Sequence, residues 1–104
     1  MKVLFDQGVP VPLRNNIPAA KVYTCYEMGW SRLSNGELIT QAETEFDCFV
    51  TTDKNLRYQQ DLIERKITIF VLPTTRWPLL KDYADAIGEA IVAAQSEKYV
   101  EWSF

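Results

Sequence analysis

Short apolar runs rich in β-branched and aromatic residues alternate along this chain with longer segments in which apolar residues recur at helical spacing. Val3-Leu4-Phe5, Val22-Tyr23-Thr24-Cys25, Cys48-Phe49-Val50-Thr51 and Ile67-Thr68-Ile69-Phe70-Val71-Leu72 form the first set and predict strands. Leu38, Ile39, Ala42 and Phe46 form one member of the second set; Leu79, Leu80, Tyr83, Ala84, Ile87, Ile91 and Ala94 form another. Steps of three and four residues place each group on one face of an amphipathic helix. Strands separated by helices of this length predict βαβ units, and hence a three-layer α/β/α fold around a mostly parallel sheet of about four or five strands. The first, third and fourth strands are apolar almost throughout, the pattern of strands covered on both faces. Residues Tyr99 to Phe104 alternate instead, with Val100, Trp102 and Phe104 on one side, which predicts a half-exposed edge strand.

Punctuation refines this outline. Pro10 and Pro12 suit the first turn of a short helix from Val11 to Asn16 that ends near Pro18, and Pro78 suits the start of the last long helix. Glu27 to Leu33 reads as an irregular loop. Ser34-Asn35-Gly36-Glu37 then matches the S-x-x-E capping box that opens a helix.

A length of 104 residues with 47% apolar content suits a single domain spanning residues 1–104. No stretch approaches the run of about 20 apolar residues that a membrane span requires, and Lys2 and Asp6 interrupt any leader-like run after Met1. A soluble, cytoplasmic protein is expected. Cys25 and Cys48 fall in strands, where a thiol behaves as a small buried hydrophobe, and free thiols fit a reducing compartment. The chain has no histidine, which removes Ser-His-Asp and Cys-His catalysis and histidine-containing zinc sites. Fourteen acidic against eleven basic residues give a net charge of −3, so a nucleic-acid ligand would need a local basic patch.

Chemistry therefore falls to carboxylates, hydroxyls, amines or thiols. Asp6 follows the first strand and Asp53 the third, and in an open parallel sheet such positions converge where the strand order reverses. Thr51, Thr52, Thr74 and Thr75 border the same edge. Two adjacent carboxylates repel unless a cation joins them. Mg2+ or Mn2+ accepts such oxygen ligands and promotes phosphodiester cleavage. Taken singly, each aspartate also suits a helix cap. Glu37 is a candidate third acid, with the capping box as its rival role. Lys54, Arg57 and Tyr58 stand where cations and an aromatic ring would meet phosphates and a base, with Gln59 and Gln60 beside them; a solvated helix face is the alternative. Trp30 and Trp77 suit packing better than stacking on a base.

Lys2-Val3-Leu4-Phe5-Asp6 at the start of the chain and Thr51-Thr52-Asp53 at the end of a middle strand resemble the PIN superfamily, in particular its short bacterial PIN-like proteins. The likeness runs from Met1 to about Leu72. It implies a PIN-like fold and a metal-dependent ribonuclease, often the toxin of a toxin–antitoxin pair, with Asp6 and Asp53 matching its metal-ligand positions and Glu37 a candidate third ligand. Lys54, Arg57, Thr52, Asn35 and Asn55 would then face the RNA substrate. Two departures stand out: Asn35 and Asn55 occupy positions where the relatives commonly carry aspartate. Asparagine keeps a carbonyl ligand but loses a charge, so the resemblance also admits a catalytically weak scaffold that binds an antitoxin protein or a second copy of itself. A phosphoaspartyl receiver is a third class, but receivers carry paired acids after the first strand, where this chain has Gln7 and Gly8.

Overall fold

The structure is a computed structural model that describes residues 1–56 and 65–104. Five strands, β1 (Lys2–Phe5), β2 (Lys21–Thr24), β3 (Cys48–Thr51), β4 (Thr68–Val71) and β5 (Tyr99–Glu101), form one sheet in the order β2-β1-β3-β4-β5. Every pairing is parallel, so the sheet goes beyond the mostly parallel expectation. Helix α1 (Asn35–Ala42) lies in one covering layer; α2 (Trp77–Leu80) and α3 (Ala84–Ala93) lie in the other. The result is a three-layer α/β/α fold whose strand order reverses between β1 and β3, the place where doubly wound sheets open a crevice.

Alternation within each strand divides the core between the two faces. Val3, Phe5, Cys48, Val50, Phe70 and Leu72 pack on the side of α2 and α3, against Leu80, Ile87 and Ile91. Leu4, Phe49, Ile69 and Val71 pack on the other side, against Leu38, Ile39, Ala42 and Leu56. Cys48 and Cys25 belong to opposite faces, and both are free and buried.

Local signals hold up at the helix starts. The Ser34 hydroxyl accepts the Glu37 N–H at 3.3 Å and donates to Glu37 Oε1 at 3.1 Å, a variant of the expected box in which the glutamate meets the serine side chain. Val11–Asn16 is a 3-10 helix with proline in its first turn. The helix expected to start at Pro78 is broken by a 3-10 turn (Lys81–Tyr83) between α2 and α3 and ends in a second one (Ala94–Ser96). Tyr83 leaves helical geometry at φ −109° and ψ 7°. Its ring packs edge-on against Trp102 and Phe104, at 5.6 and 5.1 Å between centroids. Phe46 lies beyond α1 but is buried, with Tyr23 and Trp30 edge-on at 5.8 and 6.1 Å.

Gly88 is buried where α3 crosses the 3-10 helix at Asn16. A Cβ there would overlap the Asn16 carbonyl oxygen, so only glycine permits this approach. Asn16 Nδ2 also donates to Asp85 Oδ1 at 2.8 Å across the same junction. Among the described residues, no helix is long and apolar enough to cross a membrane.

Candidate functional site

The site is built by the register of three neighbouring strands. Phe5 pairs with Thr24 on one side and Val50 on the other, so the next residues, Cys25, Asp6 and Thr51, form a row across the carboxyl edge. Backbone bonds from Asp6 N to Val50 O (2.9 Å) and from Cys25 N to Phe5 O (3.0 Å) hold that row in step. The β period then points Asp6 and Thr51 to the side of the sheet covered by α1.

Thr51 is the centre of the arrangement. Its hydroxyl is fully buried, donates to Asp6 Oδ2 at 2.8 Å and accepts the Asp53 backbone N–H at 3.1 Å. The remaining Asp6 oxygen, Oδ1, accepts the Gln7 N–H at 2.9 Å. Asp53 Oδ1 accepts the Asn55 N–H at 2.9 Å, and Oδ2 accepts from Asn35 Nδ2 at 3.2 Å. Asn35 opens α1, so the partially positive end of that helix stands beside Asp53. Among the described residues every donor to the two carboxylates is neutral, and neither takes part in an ion pair.

The structure thus brings Asp6, Thr51, Asp53 and Asn35 together. The backbone N–H of Asn55 serves Asp53, while the Asn55 side chain is exposed. Thr52 lies half-buried beside Gly8, where a glycine Cβ would stand 2.8 Å from the Thr52 hydroxyl and 3.2 Å from a Thr75 methyl, so three loops close tightly over this edge. Glu37 stays with Ser34 and lines a separate depression with Thr40 and Arg65. Lys54 is exposed and faces Glu101 and Trp102 across a small depression near the end of β5. Arg57, Tyr58, Gln59 and Gln60 lie outside the described residues. Trp30 and Trp77 pack against the two core clusters. Among the described residues, no three histidine, cysteine, aspartate or glutamate side chains gather closely enough to form a metal cluster.

Beside Asp6, between the loops that follow β1 and β2, lies a cavity of about 530 Å3. Sequence reasoning missed it. Val9 and Val11 supply apolar wall, Tyr26 is 82% exposed, and Cys25 lies beside Asp6. Arg14 and Glu27 form an ion pair at 2.6 Å, and Glu27 also accepts the Thr24 N–H at 2.9 Å. The Arg14 guanidinium first, and the Thr24 N–H second, hold the Glu27 carboxyl below the ordinary carboxylate range. Burial, and then the negative charge of Asp6, push the Cys25 thiol up to about 12, so it stays protonated and is no nucleophile at neutral pH. Burial, then Asp47, raises Cys48 to about 12 as well.

No protein-family model, curated protein or solved structure matches this chain. A functional reading therefore starts from the site's own chemistry. The groups it offers a ligand are carboxylate oxygens, which suit hard cations such as Mg2+ or Mn2+ rather than softer metals. Among the described residues each carboxylate oxygen accepts one hydrogen bond and keeps lone-pair capacity for a further ligand. A cation there would have the two carboxylates as its protein ligands, with water completing the shell.

Proposed function

We propose that this edge of the sheet binds Mg2+ or Mn2+ and that the protein is a metal-dependent ribonuclease of PIN-like type. The observation that carries the proposal is the pair Asp6 and Asp53, held at the strand reversal by one buried threonine and served, among the described residues, by neutral donors alone. Asp6 and Asp53 would hold the cation, with the Asn35 amide as a neutral neighbour. When bound, the cation supplies the positive charge that draws and polarises a phosphodiester. Thr51 fixes the orientation of Asp6, and the Asn55 N–H and Asn35 amide fix that of Asp53, so neither carboxylate must reorganise on binding. Lys54 is exposed on the loop after Asp53 and is the cation proposed to meet the phosphate. Glu37 is engaged by its cap and takes no part in this proposal.

The test combines binding with cleavage. Mn2+ is expected to raise the melting temperature of the unmodified protein and to support cutting of single-stranded RNA, and Asp6→Asn is expected to lose both. A protein that neither binds Mn2+ nor cuts a varied panel of RNAs would overturn the reading.

A second reading has its own observation. Tyr83, Trp102 and Phe104 form an edge-to-face cluster beside the edge strand β5, with Phe104 60% exposed. Such an edge suits self-association through β5, in which the domain serves as an interaction module. A monomer at high micromolar concentration in sedimentation analysis would rule that out.

A further inference from the structure

We infer that the cavity between the β1 and β2 loops receives the base of a single-stranded nucleotide whose phosphate lies at the Asp6–Asp53 edge. The inference rests on the cation-site reading proposed above and names the part of the substrate that this side of the site takes.

Size and position argue for it first. A volume of about 530 Å3 lies within the range of small-molecule sites and accommodates one nucleotide unit. Asp6 belongs both to the cavity and to the carboxylate pair, so a ligand in the cavity ends beside the proposed phosphate position.

The lining then selects which end of a nucleotide enters. Val9 and Val11 offer apolar contact, and Tyr26 presents a ring that no packing consumes. Sequence-tolerant recognition of unpaired bases relies on this combination of apolar wall and aromatic face. Charge points the same way. Arg14 is neutralised by Glu27, which leaves Asp6 as the net charge of the lining, so a phosphate is repelled from the cavity and a neutral base is not.

The full chain in Mg2+ tests this by amide NMR, with adenosine and uridine 5′-monophosphates as probes and ribose 5-phosphate as the base-free control. Both nucleotides are expected to shift the Val9, Val11 and Tyr26 amides, and ribose 5-phosphate is not. Tyr26→Ala, at an exposed position, is expected to weaken nucleotide binding by at least about fivefold, the low end of what base–aromatic stacking is worth, while the Mg2+-induced rise in melting temperature stays unchanged. Val11→Asp, also at an exposed wall position, is expected to weaken nucleotide binding in the same way. If Mg2+ stabilises the protein but the nucleotides leave the cavity amides unmoved, or the base-free control shifts them equally, the inference fails and the cation site survives. If the nucleotides occupy the cavity in a protein that Mg2+ does not stabilise, the cavity assignment holds and the nuclease reading falls.

Discussion

Glu27 and Glu43 each face an arginine, at 2.6 and 3.0 Å, whereas the donors to Asp6 and Asp53 are a hydroxyl, an amide side chain and backbone N–H groups. Both arrangements hold a carboxylate in place, but they leave it with different capacities. An arginine matches the charge of its partner, and the pair has little left to offer a ligand. Neutral donors orient a carboxylate without cancelling its charge, so its charge stays available to a ligand.

The sharpest way to break the comparison is to supply the missing charge. With Mn2+ at about 100 times its dissociation constant, the unmodified protein should gain about 2.7 kcal/mol of stability. Asp6→Asn should gain none, and Glu27→Gln should gain as much as the unmodified protein. Equal gains in all three, measured by urea unfolding, would remove the distinction.

Thr51→Val tests the neutral scaffold itself. Losing a buried hydroxyl that both donates and accepts should cost about 2 kcal/mol in urea unfolding, and Thr51→Ser should recover most of that. Asp53 separates its two roles by substituent. In metal-free buffer Asp53→Ala should cost about 1 kcal/mol through loss of the Asn55 turn bond, whereas Asp53→Asn keeps an acceptor oxygen, relieves repulsion, and should leave stability unchanged or raised.

The thiols report on the uncancelled charge directly. Asp6→Asn should lower the Cys25 pKa and leave Cys48 near 12, as read by thiolate absorbance. Because both folded values lie above the ordinary 9.0, their contribution is intact below pH 9 and declines as pH rises from there toward 12. The smallest effect belongs to the paired acid. The folded pKa of Glu27 is depressed, so its contribution is present above the ordinary 4.5 and is lost as pH falls through the lower folded value. Glu27→Gln should flatten only that acid limb of the stability curve.

The layers of the fold were readable because hydrophobic period fixes element type locally. Cys48 to Thr51 coincides with β3, and Val11 to Asn16 with the first helical turn. The fourth strand is shorter than its apolar run: Ile67 and Leu72 are buried but stand outside the pairing of Thr68–Val71. Asp6 and Asp53 were visible as strand-end acids, yet their shared partner was not. Thr51 looks like any β-branched strand residue until the register sets it beside Asp6. The cavity was illegible for a related reason. Arg14 and Glu27 sit on separate elements with no motif linking them, and nothing in the local pattern shows Tyr26 left unpacked. Glu37 shows the converse: a four-residue signature pointed it to Ser34, although its carboxylate meets the serine hydroxyl and not the backbone N–H. Asn35 gains a structural role that composition alone conceals: an aspartate there would lack the N–H that it gives to Asp53.

The crossing at Gly88 extends the reach of the last helix to the other end of the chain. The 3-10 segment seated against it carries Val11 and Arg14, so the mouth of the cavity is braced by residues more than seventy positions downstream. Any side chain introduced at that crossing would lever the brace outward, and the first casualty would be the shape of the pocket rather than the carboxylate pair.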